Sequence, residues 1–216
     1  MKLLTKNLSS IALGFCLFSA GIICSNAQSV VVKNDSPWTG WMNVYDLAGG
    51  NSAGGYLWGS GWATADLPAV ISGATLTLSP NVSSWNPADP YWVTVGGQPN
   101  KWLEANFYVD VGTAFAGGSV NFSGNTMANS LVPPYTATAF IKEFTSSYGW
   151  VGMDSAPLVG GTPFSVSRTI GAGNIAQYGF FLTGPNADPA TVGTWGQVQI
   201  AVVPEPAGFT LLGLGI

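Results

Sequence analysis

The sequence predicts an all-β protein that folds as a single antiparallel β-sandwich of jelly-roll-like form. Three observations support this fold class: short segments alternate apolar and polar residues, clusters rich in Gly, Pro and Asn separate them, and no stretch sustains a helical period. Strict alternation places one face of a strand on the core and the other face in solvent. About ten such segments in one chain are typical of sandwiches and jelly rolls.

The clearest strand covers residues 103–110, where the odd positions are apolar and the even positions carry polar groups or a phenol. We therefore expect Ala105, Phe107 and Val109 to lie inside the sandwich. The same reasoning places a further set inside: Leu76, Leu78, Val120, Phe122, Val166, Val198 and Ile200. The candidate strands are 41–45, 74–78, 91–95, 103–110, 119–123, 138–144, 164–167, 175–182 and 197–200.

Turn signals separate these segments, at 49–52, 86–90, 96–100 and 184–186. The Gly/Ser-rich stretch 49–61 is either an extended loop or a meander of weak strands, and 66–70 is expected to form one helical turn. No domain boundary is evident inside residues 28–202. That length is ample for one core without disulfides, so we treat 28–202 as one β-sandwich domain.

The N-terminus has the parts of a secretory signal peptide. Residues 1–6, with Lys2 and Lys6, form a short basic n-region, and residues 11–23 form an apolar run too short to span a bilayer as a helix. Ser25 and Ala27 supply the small residues of a signal peptidase site. We therefore assign 1–27 to a cleaved signal peptide and expect the mature chain to begin at Gln28. Lipidation at Cys24 and an uncleaved anchor are the less favoured alternatives.

The residue types missing from the mature region exclude several kinds of catalytic and metal-binding site. Both cysteines, Cys16 and Cys24, lie in the leader, and the chain has no histidine. Thiolate nucleophiles, Ser-His-Asp triads and His- or Cys-ligated metals are therefore excluded. Asp89 and Asp188 lie in Asn/Asp/Pro turns, and we favour Asx-turn hydrogen bonding over calcium binding for both. We expect no cofactor and no metal.

The charge pattern excludes two classes of partner. The mature region has four basic residues against ten acidic ones, a net charge of −6. So few basic residues do not suit binding to nucleic acid or to anionic lipid. Charged residues make up 7% of the chain, against about 25% in ordinary globular domains. The surface must therefore be built from uncharged polar and aromatic side chains.

Paired carboxylates are the catalytic apparatus that this composition still allows, as in glycoside hydrolysis. Before the tail, the mature region holds two glutamates, Glu104 and Glu143, each in a predicted strand. In a sandwich they could face each other across a concave sheet. We favour the alternative that both point to solvent, with Glu143 compensating Lys142, because exposed carboxylates are the usual case. No catalytic residue is therefore assigned.

The tryptophans are the best functional lead. Of nine tryptophans, six lie between Trp38 and Trp92. Trp58, Trp62 and Trp85 stand among Gly, Ser, Asn and Pro, which offer little bulk to bury an indole. An exposed indole face can stack on the apolar face of a sugar ring while neighbouring amides bond its hydroxyls. These three residues are our candidates for binding a neutral polysaccharide, and the alternative is that they fill the core.

The C-terminal segment carries a sorting motif. Pro204, Glu205 and Pro206 lead directly into the apolar residues 207–216. Residues 203–216 resemble the PEP-CTERM sorting tail of exported bacterial proteins. The family pattern continues as a full spanning helix that ends in arginines, whereas here ten residues follow Pro206 without a closing basic cluster. We therefore expect the complete protein to extend beyond Ile216.

The resemblance implies a cellular location rather than a catalytic activity. Proteins with this tail are processed by signal peptidase and by an exosortase-type membrane enzyme, and they associate transiently with the membrane through the tail. Most are linked with extracellular matrix and exopolysaccharide production. We expect an exported protein at the cell surface or in the extracellular matrix of a bacterium, non-catalytic and able to bind neutral polysaccharide. A glycan-acting enzyme and a ligand-free structural protein are the alternatives.

Overall fold

The computed structural model describes residues 27–49 and 52–203, which form an all-β sandwich of two six-stranded sheets. In chain order the strands are β1 (Ala27–Val31), β2 (Thr39–Ala48), β3 (Ser52–Trp62), β4 (Ala69–Ser72), β5 (Thr75–Leu78), β6 (Lys101–Asp110), β7 (Ser119–Asn129), β8 (Thr136–Phe144), β9 (Trp150–Pro157), β10 (Thr162–Thr169), β11 (Ile175–Pro185) and β12 (Val198–Ala201). The predicted all-β sandwich is confirmed.

Successive strands from β5 to β12 wrap around the core in the manner of a jelly roll. Sheet I runs β1-β7-β12-β5-β4, with β10 on the other side of β7, and sheet II runs β3-β2-β6-β11-β8-β9. Each step from β5 to β12 crosses between the sheets except the β8–β9 hairpin. The pairing is antiparallel throughout the named strands apart from β1, which lies parallel to β7.

The core fills the space between the sheets. All ten residues predicted to lie inside are buried, and none is more than 6% exposed. Trp38, which precedes β2, stacks on Phe107 with ring centroids 4.5 Å apart and also packs on Phe180. Alternation with a period of two therefore located the inner face of both sheets correctly.

Three local predictions differ from the structure. Residues 91–95 form turns, because Asp89 accepts the backbone N–H groups of Tyr91, Trp92 and Val93 through its side chain and carbonyl. The helical turn falls earlier, at Thr64–Asp66, and Ala69 already begins β4. Within the Gly/Ser-rich stretch, residues 52–61 belong to one long edge strand, β3, rather than to a loop or a meander.

Candidate functional site: a groove on the outer face of sheet II

A cavity of about 510 Å³ lies on the outer face of sheet II. Its wall and floor come from neighbouring strands, because each strand turns every second side chain outward. On β6 the outward positions are the even ones, so Asn106, Tyr108 and Asp110 face the cavity while Phe107 faces the core. The complete lining is Trp41, Asn43, Asn106, Tyr108, Asp110, Phe140, Lys142, Phe144, Tyr148, Trp150 and Gln177. We call this feature the groove.

Three aromatic side chains of the groove are exposed. Trp41 on β2 is 39% exposed, Tyr148 in the β8–β9 turn 58%, and Trp150 on β9 60%. Phe144 supports the last two, with ring centroids 6.2 Å from Tyr148 and 5.6 Å from Trp150. Large aromatic faces left open beside polar groups are typical of a ligand surface.

A glycine lies between two of the strands that line the groove. Gly179 on β11 stands opposite Tyr108 on one side and Phe140 on the other. A Cβ at this position would lie 2.6 Å from the Cα of Tyr108 and would also collide with the carbonyl oxygen of Phe107. The absence of a side chain at Gly179 therefore permits the close approach of β6 and β11 beside the groove.

The β2–β6–β8 half of the groove holds a network of polar side chains. Lys142 Nζ donates to Asn106 Oδ1 at 2.6 Å and to Glu104 Oε1 at 3.3 Å. Asn43 donates to the same Glu104 oxygen, and the Trp41 indole N–H donates to Asn43 Oδ1 at 2.8 Å. The ammonium also lies 4.5 Å from the centre of the Phe140 ring. These contacts hold the indole of Trp41 in place and balance the positive charge of Lys142 within the protein.

At the other side of the groove, Asp110 is held by hydrogen bonds. Its Oδ2 accepts from Gln177 Nε2 at 2.8 Å and from the Tyr148 hydroxyl at 3.2 Å, and its Oδ1 accepts the Gly112 N–H. Tyr148 has φ of +61°, a left-handed conformation that costs a non-glycine residue free energy. Residues held in such conformations cluster at functional sites. The turn thereby places the phenol over Asp110.

Burial and charge shift the titration of the groove residues. Burial lowers the pKa of Lys142, although the charge and hydrogen bond of Glu104 act in the opposite direction. Burial and the neighbouring Asp110 raise the pKa of Tyr108, and the charge of Asp110 raises that of Tyr148. Both phenols therefore stay protonated at neutral pH and can donate hydrogen bonds.

None of the three predicted binding tryptophans lines the groove. On β3, Trp58 stands opposite Val44 and Trp62 opposite Gly40, so both face the inner side of sheet II. Both are half-buried against the small apolar cluster of Met42, Val44, Leu67, Leu103 and Ala105. Their indole N–H groups are also bonded, to the Tyr91 hydroxyl at 2.6 Å and to Ser60 Oγ at 3.0 Å.

Trp85, the third candidate, is half-buried and lines a smaller cavity of about 310 Å³ together with Trp195, Gln98 and Asp188. The structure thus does not bring Trp58, Trp62 and Trp85 into one site. The sequence held part of the signal for the groove, because alternation assigns the even positions of 103–110 to an outer face, and Trp41 to the face opposite Met42 and Val44. That the two strands are neighbours in one sheet is known from the structure alone. β9, which carries Trp150, was not among the predicted strands.

The two glutamates lie on opposite faces of sheet II, so they do not converge in a cleft. Glu104 points outward into the Lys142 network, whereas Glu143 on β8 faces inward and is only 4% exposed. The expectation that both point to solvent is also wrong. Arg168 binds Glu143 at 2.7 Å, while the Gly171 N–H and the Asn174 amide bond its other oxygen. Lys142 is paired with Glu104 instead of Glu143.

The predicted processing positions fall at the margins of the described residues. Ala27 and Gln28 are exposed at the start of β1, where they pair with Ser119 and Val120. Pro204, Glu205 and Pro206 lie outside the described residues. No helix within 27–49 and 52–203 has the length and apolar character of a membrane span. In the same part of the chain, no three Asp, Glu, His or Cys side chains gather where they could share a metal ion.

Asp89 and Asp188 each accept a backbone N–H two residues ahead, from Tyr91 at 2.9 Å and from Ala190 at 2.8 Å. These are the Asx turns that the sequence predicted.

Comparison with known proteins returned no matching family model and no matching curated protein. The site is therefore interpreted from its own geometry.

Proposed function

We propose that this protein is a non-catalytic, surface- or matrix-associated protein of a bacterium that binds neutral polysaccharide in the groove of sheet II. The observation that carries the proposal is the exposure of Trp41, Tyr148 and Trp150 around one cavity lined with amide, carboxylate and hydroxyl groups. Sugar rings have an apolar face that stacks on aromatic rings and an edge of hydroxyls that exchange hydrogen bonds. The groove offers both kinds of contact side by side.

The charge balance of the groove favours a neutral ligand. Its charged lining residues are Lys142 and Asp110, one of each sign, and both are engaged by protein groups. A uronic acid would meet Asp110 without a free cation to pair with. The acidic mature chain would also repel it at low salt. Binding of a neutral glycan should change little with added salt.

The location follows from the two terminal signals rather than from the body of the protein. The signal peptide and the Pro204–Glu205–Pro206 motif support export and tail processing by signal peptidase and an exosortase-type enzyme. Exported proteins with such tails meet extracellular polysaccharide, which is the ligand class proposed for the groove. The tail would provide transient membrane association.

The experiment is a binding titration of purified protein with neutral polysaccharides, followed by intrinsic tryptophan fluorescence and calorimetry. Trp41→Ala should abolish or strongly weaken binding, because its exposed indole lines one end of the groove. Trp85→Ala is the matched control, since it removes an equally large indole outside the groove. Unchanged melting temperatures would show that both variants fold. Loss of binding in Trp85→Ala with retention in Trp41→Ala would overturn the assignment.

A further inference from the structure

We infer that the groove binds an internal segment of an extended glycan chain laid diagonally across the sheet, with several sugar rings in contact at once. This inference rests on the proposed function and specifies the form of the ligand. It follows from how the lining residues are distributed over sheet II.

The groove runs diagonally across the strands. Its lining residues belong to β2, β6, β11, β8 and β9, which are neighbours in that order. Trp41 on β2 and Trp150 on β9 are therefore four strand intervals apart, about 19 Å across the sheet. Trp41 pairs with Asn106, whereas Trp150 pairs with Phe144, two residues past the level of Asp110. The two tryptophans are therefore also separated by about 20 Å along the strand direction. A single sugar ring is far shorter than either dimension.

The exposed aromatic groups are divided between the two ends of this span. Trp41 forms one end, and Trp150 with Tyr148 forms the other. Between them lie the less exposed rings of Tyr108 and Phe140 and the polar side chains of Asn106 and Gln177. One ring cannot contact both tryptophans, so full use of the groove requires a chain of several rings.

Neither end is closed by a wall. The end residues themselves are exposed, Trp41 by 39% and Trp150 by 60%, and β9 is the last strand of its sheet. A chain longer than the groove would therefore continue past the indoles into solvent. A site built for a chain terminus would instead enclose the last ring. The groove suits internal positions of a polymer.

The test is a ladder of neutral oligosaccharides, from disaccharide to hexasaccharide in the cello-, laminari- and manno- series, titrated calorimetrically against the purified protein. In the series that binds, affinity should rise by about tenfold or more with length and then level off, which is the gain expected from one further aromatic contact. Oligosaccharides whose reducing end is converted to the alditol should bind as well as the parent.

Trp150→Ala provides the matched variant. It should remove most of the gain with chain length and weaken hexasaccharide binding by about tenfold, while Trp85→Ala leaves the length dependence intact. Full affinity for a disaccharide, or loss of binding when the chain end is modified, would overturn this inference and leave the proposed function standing. Failure of every ladder and of the parent polymers to bind would contradict both.

Discussion

At the scale of single residues, the sequence identified which side chains enter the core but not which tryptophans are exposed. Phe107 and the nine other residues predicted to lie inside were identified from the apolar–polar alternation alone, because every second side chain of a half-buried strand faces the core. Exposure of an indole depends instead on what lies across the fold from it. Trp58 stands among glycine and serine in sequence, yet its ring is half-buried against a cluster that includes Leu67 and Leu103. Local composition carries no information about such contacts.

The buried pair of Glu143 and Arg168 was not predictable, because its members are distant in sequence and lie in different sheets. Glu143→Gln should destabilise the protein by about 3 kcal/mol, because it leaves a partly buried guanidinium facing a neutral amide. Asp154→Asn is the matched control: this carboxylate binds the same guanidinium at 2.8 Å but is 51% exposed. Its loss should cost about 1 kcal/mol or less. Urea unfolding would measure both, and equal losses would contradict the assignment.

The same carboxylate predicts how stability depends on pH. Burial alone would raise the pKa of Glu143, but hydrogen bonds from Asn174, Gly171 and Arg168, with the Arg168 charge, outweigh burial and lower it. Glu143 therefore stabilises the fold fully above its ordinary pKa of 4.5, and that contribution is lost as pH falls through the lower folded pKa. Unfolding free energies measured from pH 7 down to pH 2 should fall less steeply below pH 4.5 in Glu143→Gln than in the parent. Parallel pH profiles would contradict this.

At the scale of elements, strands with strict alternation were predicted together with their inner faces, whereas β9 was missed and β11 was predicted, as 175–182, without an inner face. β6 and β12 have one apolar and one polar face, so their sequences show the period directly. β9 is an edge strand with exposed residues on both faces, and β11 is buried on nearly every position. Neither pattern distinguishes inside from outside. The groove is lined by strands of both kinds, so the sequence alone could not identify all of its lining residues.

The stability of sheet II depends on the packing of strand β6 against Trp38 and strand β11. Phe107→Ala should lower the free energy of unfolding by about 3–5 kcal/mol, because the ring is buried and stacked on Trp38. Thr136→Ala, an exposed position on β8 in the same sheet, is the control and should change stability by about 0.5 kcal/mol or less. Denaturant unfolding monitored by circular dichroism would measure both. A loss below 1 kcal/mol for Phe107→Ala would contradict the packing described.

At the scale of the whole molecule, composition predicted a surface built from uncharged polar and aromatic side chains. The four basic side chains of the mature region include Lys101, Lys142 and Arg168, and each of these three pairs with a carboxylate. The glycan recognition that we propose would therefore depend on aromatic and hydrogen-bonding groups. The jelly-roll wrapping, which composition alone does not specify, supplies the broad outer face on which they gather.

We predict that the signal peptide of the exported protein is cleaved between Ala27 and Gln28. Expression in a secreting bacterial host should yield a protein whose N-terminal sequence begins at Gln28. Ala27→Asp should block processing, because signal peptidase requires a small residue at that position. Gln28→Ala lies on the other side of the bond and should be processed normally. Edman sequencing and mass determination distinguish the outcomes, and a native protein that retains Met1 would contradict the prediction.

The central claim, that the groove is the glycan-binding surface, is tested most directly by nuclear magnetic resonance of the ¹⁵N-labelled protein during titration with a bound polysaccharide or oligosaccharide. We predict that the largest shifts occur at the indole N–H groups of Trp41 and Trp150 and at the backbone amides around Asn106 and Gly179. Signals of Trp58, Trp62 and Trp85 should move little. Shifts confined to those three tryptophans, with the groove unaffected, would contradict the claim.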